Sequence, residues 1–81
     1  MTGASTNFFM NTLDLHGSHH ENVEQLVESF FYNNDFPVKV ITGKSEQMQQ
    51  IVLDIVERYG YDYHYERLVN RGCLVINDKH L

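Results

Sequence analysis

Asp14 and His16 stand two residues apart and alternate with leucines in Leu13-Asp14-Leu15-His16-Gly17. On an extended strand that spacing projects both side chains from one face, about 6–7 Å apart. An imidazole titrates near neutral pH and can shuttle a proton, while a carboxylate beside it can orient the ring or help hold a divalent cation. The same aspartate can instead brace a turn by accepting backbone N–H groups. Further along comes Ile41-Thr42-Gly43-Lys44-Ser45, a second apolar strand end that turns at a glycine into a helix. In a parallel sheet two such turns fall on one rim. A carboxylate, an imidazole, a lysine and two helix N-termini then meet, a combination suited to an anion and to phosphate above all.

Competing chemistries fit less well. Gly43-Lys44-Ser45 ends like a P-loop, but that motif needs another glycine where the chain has Val38, which excludes a nucleoside triphosphatase. Lys44 is still placed to pair with a phosphate. His16, His19 and His20 invite a zinc site, yet neighbours on a helix diverge by about 100°. No cysteine pair supports them, so structural zinc is not expected. His19 or His20, when protonated, could meet an anion at a helix N-terminus. Tyr61, Tyr63 and Tyr65 share one face of a strand and could stack on bases, at about 1–3 kcal/mol per base. Packing of that face against helices is the expected use. Arg67 and Arg71, near a hairpin, could touch a phosphate backbone.

The elements that must position these groups follow from periodicity. A first strand is expected over Asn11–His16. A helix then runs over His19–Asn33, with Ser18 as N-cap and Glu21 completing a capping box. Its buried stripe is Val23, Leu26, Val27, Phe30 and Phe31, and Pro37 forbids its continuation. A second strand covers Val38–Thr42. A second helix covers Glu46–Tyr59, with Ser45 as its cap, a stripe of Met48, Ile51, Val52, Ile55, Val56 and Tyr59, and Gly60 closing it. A third strand over Tyr61–Leu68, half polar, suits a sheet edge or a strand with one wet face. Asn70-Arg71-Gly72 turns the chain into Cys73–Ile76, which has no polar alternation and suits the sheet interior. The order is βαβαββ. The expected fold is an α/β chain of the α+β two-layer kind, a four-stranded mixed sheet with two helices on one face and the other face partly open. Residues 1–10 are expected to form an N-terminal tail and residues 11–81 a single domain.

Eighty-one residues bury about 60–65% of the surface that the unfolded chain exposes, enough for one small core. No apolar run approaches the roughly 20 residues that span a bilayer, and Phe8-Phe9-Met10 is too short for a signal sequence. With a single cysteine, Cys73, no internal disulfide can form. These features suit a reducing, cytoplasmic setting without membrane association. Net charge is −5, unevenly placed. Asp14, Glu21, Glu24, Glu28 and Asp35 precede position 38 with no base among them, whereas Lys39, Lys44, Arg58, Arg67, Arg71 and Lys79 all follow it. The broad basic footprint of a strong DNA binder is missing. Any nucleic-acid contact is therefore local, with a shallow salt dependence.

The motif Leu13-Asp14-Leu15-His16-Gly17, followed by this helix and then by Thr42-Gly43-Lys44-Ser45, resembles the small MutS-related, or Smr, domain family over roughly residues 12–77. Ser45 stands where the family has its last glycine. The resemblance implies a nucleic-acid-binding domain, and in some members an endonuclease that nicks DNA or cleaves RNA. It implies catalytic roles for Asp14 and His16, and phosphate or nucleic-acid contacts for Gly17, Thr42, Gly43, Lys44 and Ser45. A divalent cation such as Mg²⁺ would be the accompanying cofactor, and no metal-ligand set is assigned. The alternative is a non-catalytic module with a protein or ribosome-associated partner, favoured by Glu21, Glu24 and Glu28 on the first helix. A small-molecule phosphate enzyme is disfavoured, because so short a chain leaves little wall for an enclosed pocket of ~300 Å³ or more. The chain is expected as a monomer or weak dimer, the open sheet face being the candidate dimer surface.

Overall fold

Alternation within the strands decides which way the sheet faces. In Val38-Lys39-Val40-Ile41 the two valines are fully buried while Lys39 and Ile41 are half-buried, so one face is covered by the helices and the other, among the described residues, is covered by none. The computed structural model describes residues 10–66 and 72–78. They form β1 (Thr12–Asp14), α1 (His20–Asn33), β2 (Val38–Ile41), α2 (Glu46–Arg58), β3 (Asp62–Tyr65) and β4 (Cys73–Asn77). The sheet order is β1-β2-β4-β3, with β1 parallel to β2 and β4 antiparallel to both β2 and β3. This is the expected four-stranded mixed sheet with two helices. β4 lies inside the sheet and β3 at its edge, as their polarity patterns imply. The expected Asn70-Arg71 turn, and Arg67 and Arg71 as backbone contacts, fall outside the described residues.

The register places Val38 opposite Ile76 and Val40 opposite Leu74. These side chains meet Val23, Val27 and Phe31 of α1 and Met48, Val52, Ile55 and Val56 of α2 in one core. Each fully buried aliphatic side chain contributes about 1.5–3 kcal/mol relative to exposure. Tyr63 and Tyr65 lie opposite Ile76 and Leu74, on the covered face. Tyr65 and Tyr61 pack on the core, but Tyr63, at the sheet edge, is 45% exposed. Tyr61 also stacks among Phe31, Phe36 and Tyr59.

Three expectations about the helices need correction. The N-cap of α1 is His19, not Ser18, and no side chain caps it: Ser18 is the last residue of the preceding turn, which its N–H closes on Leu15, and the helix starts one residue later than expected. Leu26 is 41% exposed: it sits one residue, about 100° of rotation, from Val27, on the flank away from α2. The opposite flank faces α2, where Arg58 bridges Glu24 and Glu28 at 2.8 and 3.1 Å and the Tyr59 hydroxyl donates to Glu28. Tyr59 is therefore the half-exposed C-cap of α2 rather than part of its buried stripe. Beyond it the Gly60 N–H donates to Glu57 and the Tyr61 N–H to Val56, a Schellman closure that requires the positive φ of Gly60, 75°. Ser45 caps α2 as expected, its hydroxyl accepting the Met48 N–H at 3.1 Å.

Candidate functional site

Parallel pairing of β1 with β2 brings both strand ends to one edge of the sheet. The Leu15 N–H donates to the Ile41 carbonyl at 2.8 Å, the last rung before the chain turns. The Ser18 N–H then donates to the Leu15 carbonyl with Gly17 at φ 86°, the arrangement of a type II turn that glycine alone adopts easily. His16 thus belongs to the turn and not to the strand. The alternation that would set its ring beside the Asp14 carboxylate stops one residue short. Asp14 instead accepts the His16 backbone N–H on Oδ1 at 2.9 Å. Of the two uses its position allowed, bracing the turn is the one visible in the geometry.

The second turn is built from the inside. Thr42 is 2% exposed; its hydroxyl donates to the Gly43 carbonyl at 2.9 Å, and the N–H groups of Thr42 and Gly43 both donate to the Gly72 carbonyl. The Gln49 side chain donates to the Gly43 carbonyl at 3.2 Å. Thr42 and the Gly43 amide are therefore committed to structure. Ser45 is engaged as the α2 cap, which leaves the N–H groups of Glu46 and Gln47 as the first-turn donors without a helical partner.

The two turns touch. A Cβ placed on Gly43, whose φ is 72°, would sit 3.3 Å from Cδ2 of His16, so the imidazole edge rests against the bare glycine backbone. His16, Gly43 and Lys44 open onto a single concavity of about 600 Å³ on the sheet face opposite the helices. Its floor is Ile41 and Cys73, partners in the register, with Gly72 alongside. At its far side Lys39 Nζ donates to Glu66 Oε2 at 2.7 Å. That hydrogen bond raises the lysine above its ordinary value. Burial, with Glu66 alongside, pushes the Cys73 thiol up to about 11, so the floor stays uncharged at neutral pH.

Among the described residues Lys39 and Arg58 are both held in ion pairs, while Lys44 is exposed and in none. No group of three or more histidine, cysteine, aspartate or glutamate side chains that could hold a metal occurs among them. The brim does not fit a protein-built Mg²⁺ site: hard cations want several oxygen ligands, and Asp14, the carboxylate of the first turn, has one oxygen on the His16 amide.

Lys39, Ile41, Glu66, Gly72 and Cys73 were not singled out by sequence as site residues. The signal for the first two is the alternation within β2, which puts them on the face opposite Val38 and Val40. Glu66 and Cys73 join them only through the β2–β4–β3 register, which no local pattern encodes. No helix among the described residues is long and apolar enough to cross a membrane. In comparisons with known proteins, no family model, no curated protein and no solved structure matches the chain.

Proposed function

We propose that the chain is an Smr-like domain that binds a nucleic-acid strand at the rim shared by its two strand-to-helix turns. The observation that supports this most is the contact of the His16 ring with Gly43, which puts the imidazole and the unpaired Lys44 on one concavity. A phosphodiester there meets the Lys44 ammonium and the free N–H groups of the first turn of α2, donors that favour negative charge. With Lys44 as the cation of the rim among the described residues, the contact neutralises few phosphates, and affinity depends weakly on salt.

The exposed imidazole beside that phosphate supports strand cleavage, with His16 giving or taking the proton of the reacting oxygen. Asp14 acts through the turn: it fixes the His16 backbone, and so the place from which the ring reaches. The reading as a protein-binding module draws on Glu21, Glu24 and Glu28, of which Glu24 and Glu28 are engaged with Arg58. Binding of DNA and RNA strands to wild type, Lys44→Ala and His16→Ala, with cleavage followed on the same samples, tests the proposal. Lys44→Ala should weaken binding and reduce the salt slope by about 0.7–0.9, and His16→Ala should abolish cleavage while largely keeping affinity. An unchanged slope in Lys44→Ala overturns the binding site, and undiminished cleavage in His16→Ala overturns the catalytic role.

A further inference from the structure

The rim accounts for a phosphate but not for the rest of the concavity. Inward from His16 and Lys44 the surface is not a charged groove. It is an apolar floor of Ile41 and Cys73, ending at the neutralised Lys39–Glu66 pair. A duplex backbone lying on the rim would leave this floor unused, since paired bases keep their faces stacked on one another and show only their edges. An apolar floor with the Lys44 ammonium at one end fits a base face attached to a phosphate, as single-strand binders combine surfaces for base faces with backbone contacts. The volume, about 600 Å³, falls within the ~300–1,000 Å³ of small-ligand sites. The concavity is open along the sheet, however, so it cannot enclose a free mononucleotide, and the neighbouring strand must supply the remaining affinity.

We infer that the concavity seats one unpaired nucleotide of a nucleic-acid strand, with its base on Ile41 and Cys73 and its phosphate at Lys44, beside the His16 ring. This rests on the reading of the rim as a phosphodiester site. It adds that single-stranded segments are selected over duplex, and that Ile41 contributes to affinity without contributing to salt dependence. The uncharged Cys73 thiol suits contact with a neutral base.

Cys73, the sole cysteine of the chain, reports on the floor directly. Its alkylation by N-ethylmaleimide at mildly alkaline pH is followed on the full chain with a short single strand, the same strand carrying abasic sites, the matching duplex and a mononucleotide. The single strand should block alkylation as it saturates. The abasic strand should leave the thiol reactive even when bound, the duplex should bind more weakly and not protect, and the mononucleotide should protect only at far higher concentration. Ile41→Ala should weaken single-strand binding at an unchanged salt slope, whereas Lys44→Ala should lower that slope. Full alkylation under saturating strand, equal protection by the abasic strand or by duplex, or equal potency of the mononucleotide overturns the inference while leaving the rim site standing. If no strand binds at all, the rim reading falls, and this inference with it.

Discussion

Substituting Gly43 by alanine probes the junction of the two turns with a single methyl group. At φ 72° a residue with a Cβ incurs about 1–2 kcal/mol of left-handed strain. For a domain of this size each kcal/mol lowers Tm by roughly 4–8 °C, so Gly43→Ala should melt about 4–16 °C below wild type. The added Cβ would also lie 3.3 Å from His16 Cδ2, closer than such contacts normally settle, and the ring must give way by a few tenths of an ångström. Gly60→Ala separates the two effects: its φ is 75°, with nothing within 4 Å of the added Cβ. Thermal unfolding by circular dichroism should show a comparable loss in both variants. The His16 Hδ2 resonance should move in Gly43→Ala and stay in place in Gly60→Ala. An unmoved His16 resonance in a destabilised Gly43→Ala would show that the turns are not in contact, and an unchanged Tm would refute the positive φ.

Other perturbations test the supports of the site. Ser45→Ala removes the acceptor of the Met48 N–H and should cost about 1 kcal/mol, while His19→Ser, at an N-cap without a side-chain bond, should stabilise by about 0.5–1 kcal/mol; urea unfolding measures both. Asp14→Asn keeps an oxygen for the His16 N–H and should leave stability nearly unchanged, whereas Asp14→Ala should lose about 1 kcal/mol; equal losses would show that the turn does not depend on that acceptor. The Cys73 thiol is raised from 9.0 to about 11 by burial and by Glu66, so between those values the unfolded chain has released a proton that the folded chain retains. Stability should therefore fall as pH rises through that window, and chemical denaturation at a series of pH values should show a shallower fall in Cys73→Ala.

Most of the frame was legible because each covered element carries its own period. Val38 and Val40 alternate with Lys39 and Ile41, Val23, Val27 and Phe31 recur at helical spacing, and Ser45 and Gly60 mark the ends of α2 with residues that only those positions need. What sequence could not show depends on contacts distant along the chain. Ser18 looks like a cap until its N–H is found closing on Leu15, and Leu26 fits the stripe until α2 packs on the other flank. At the site, Asp14 and His16 share a face only if the strand continues, and Gly17 ends it early. The concavity floor pairs Ile41 with Cys73 through the antiparallel register of β4 on β2, a residue pairing that local periodicity does not specify.

Amide and imidazole NMR of the full chain during titration with a short DNA or RNA strand gives the most direct answer about the rim. Shifts should cluster at Gly17–His20, at Gly43–Gln47 and on the His16 ring, and shrink in Lys44→Ala. Shifts confined to the Glu21, Glu24 and Glu28 side of α1, or none at any strand concentration, would contradict a nucleic-acid site at the meeting of the two turns.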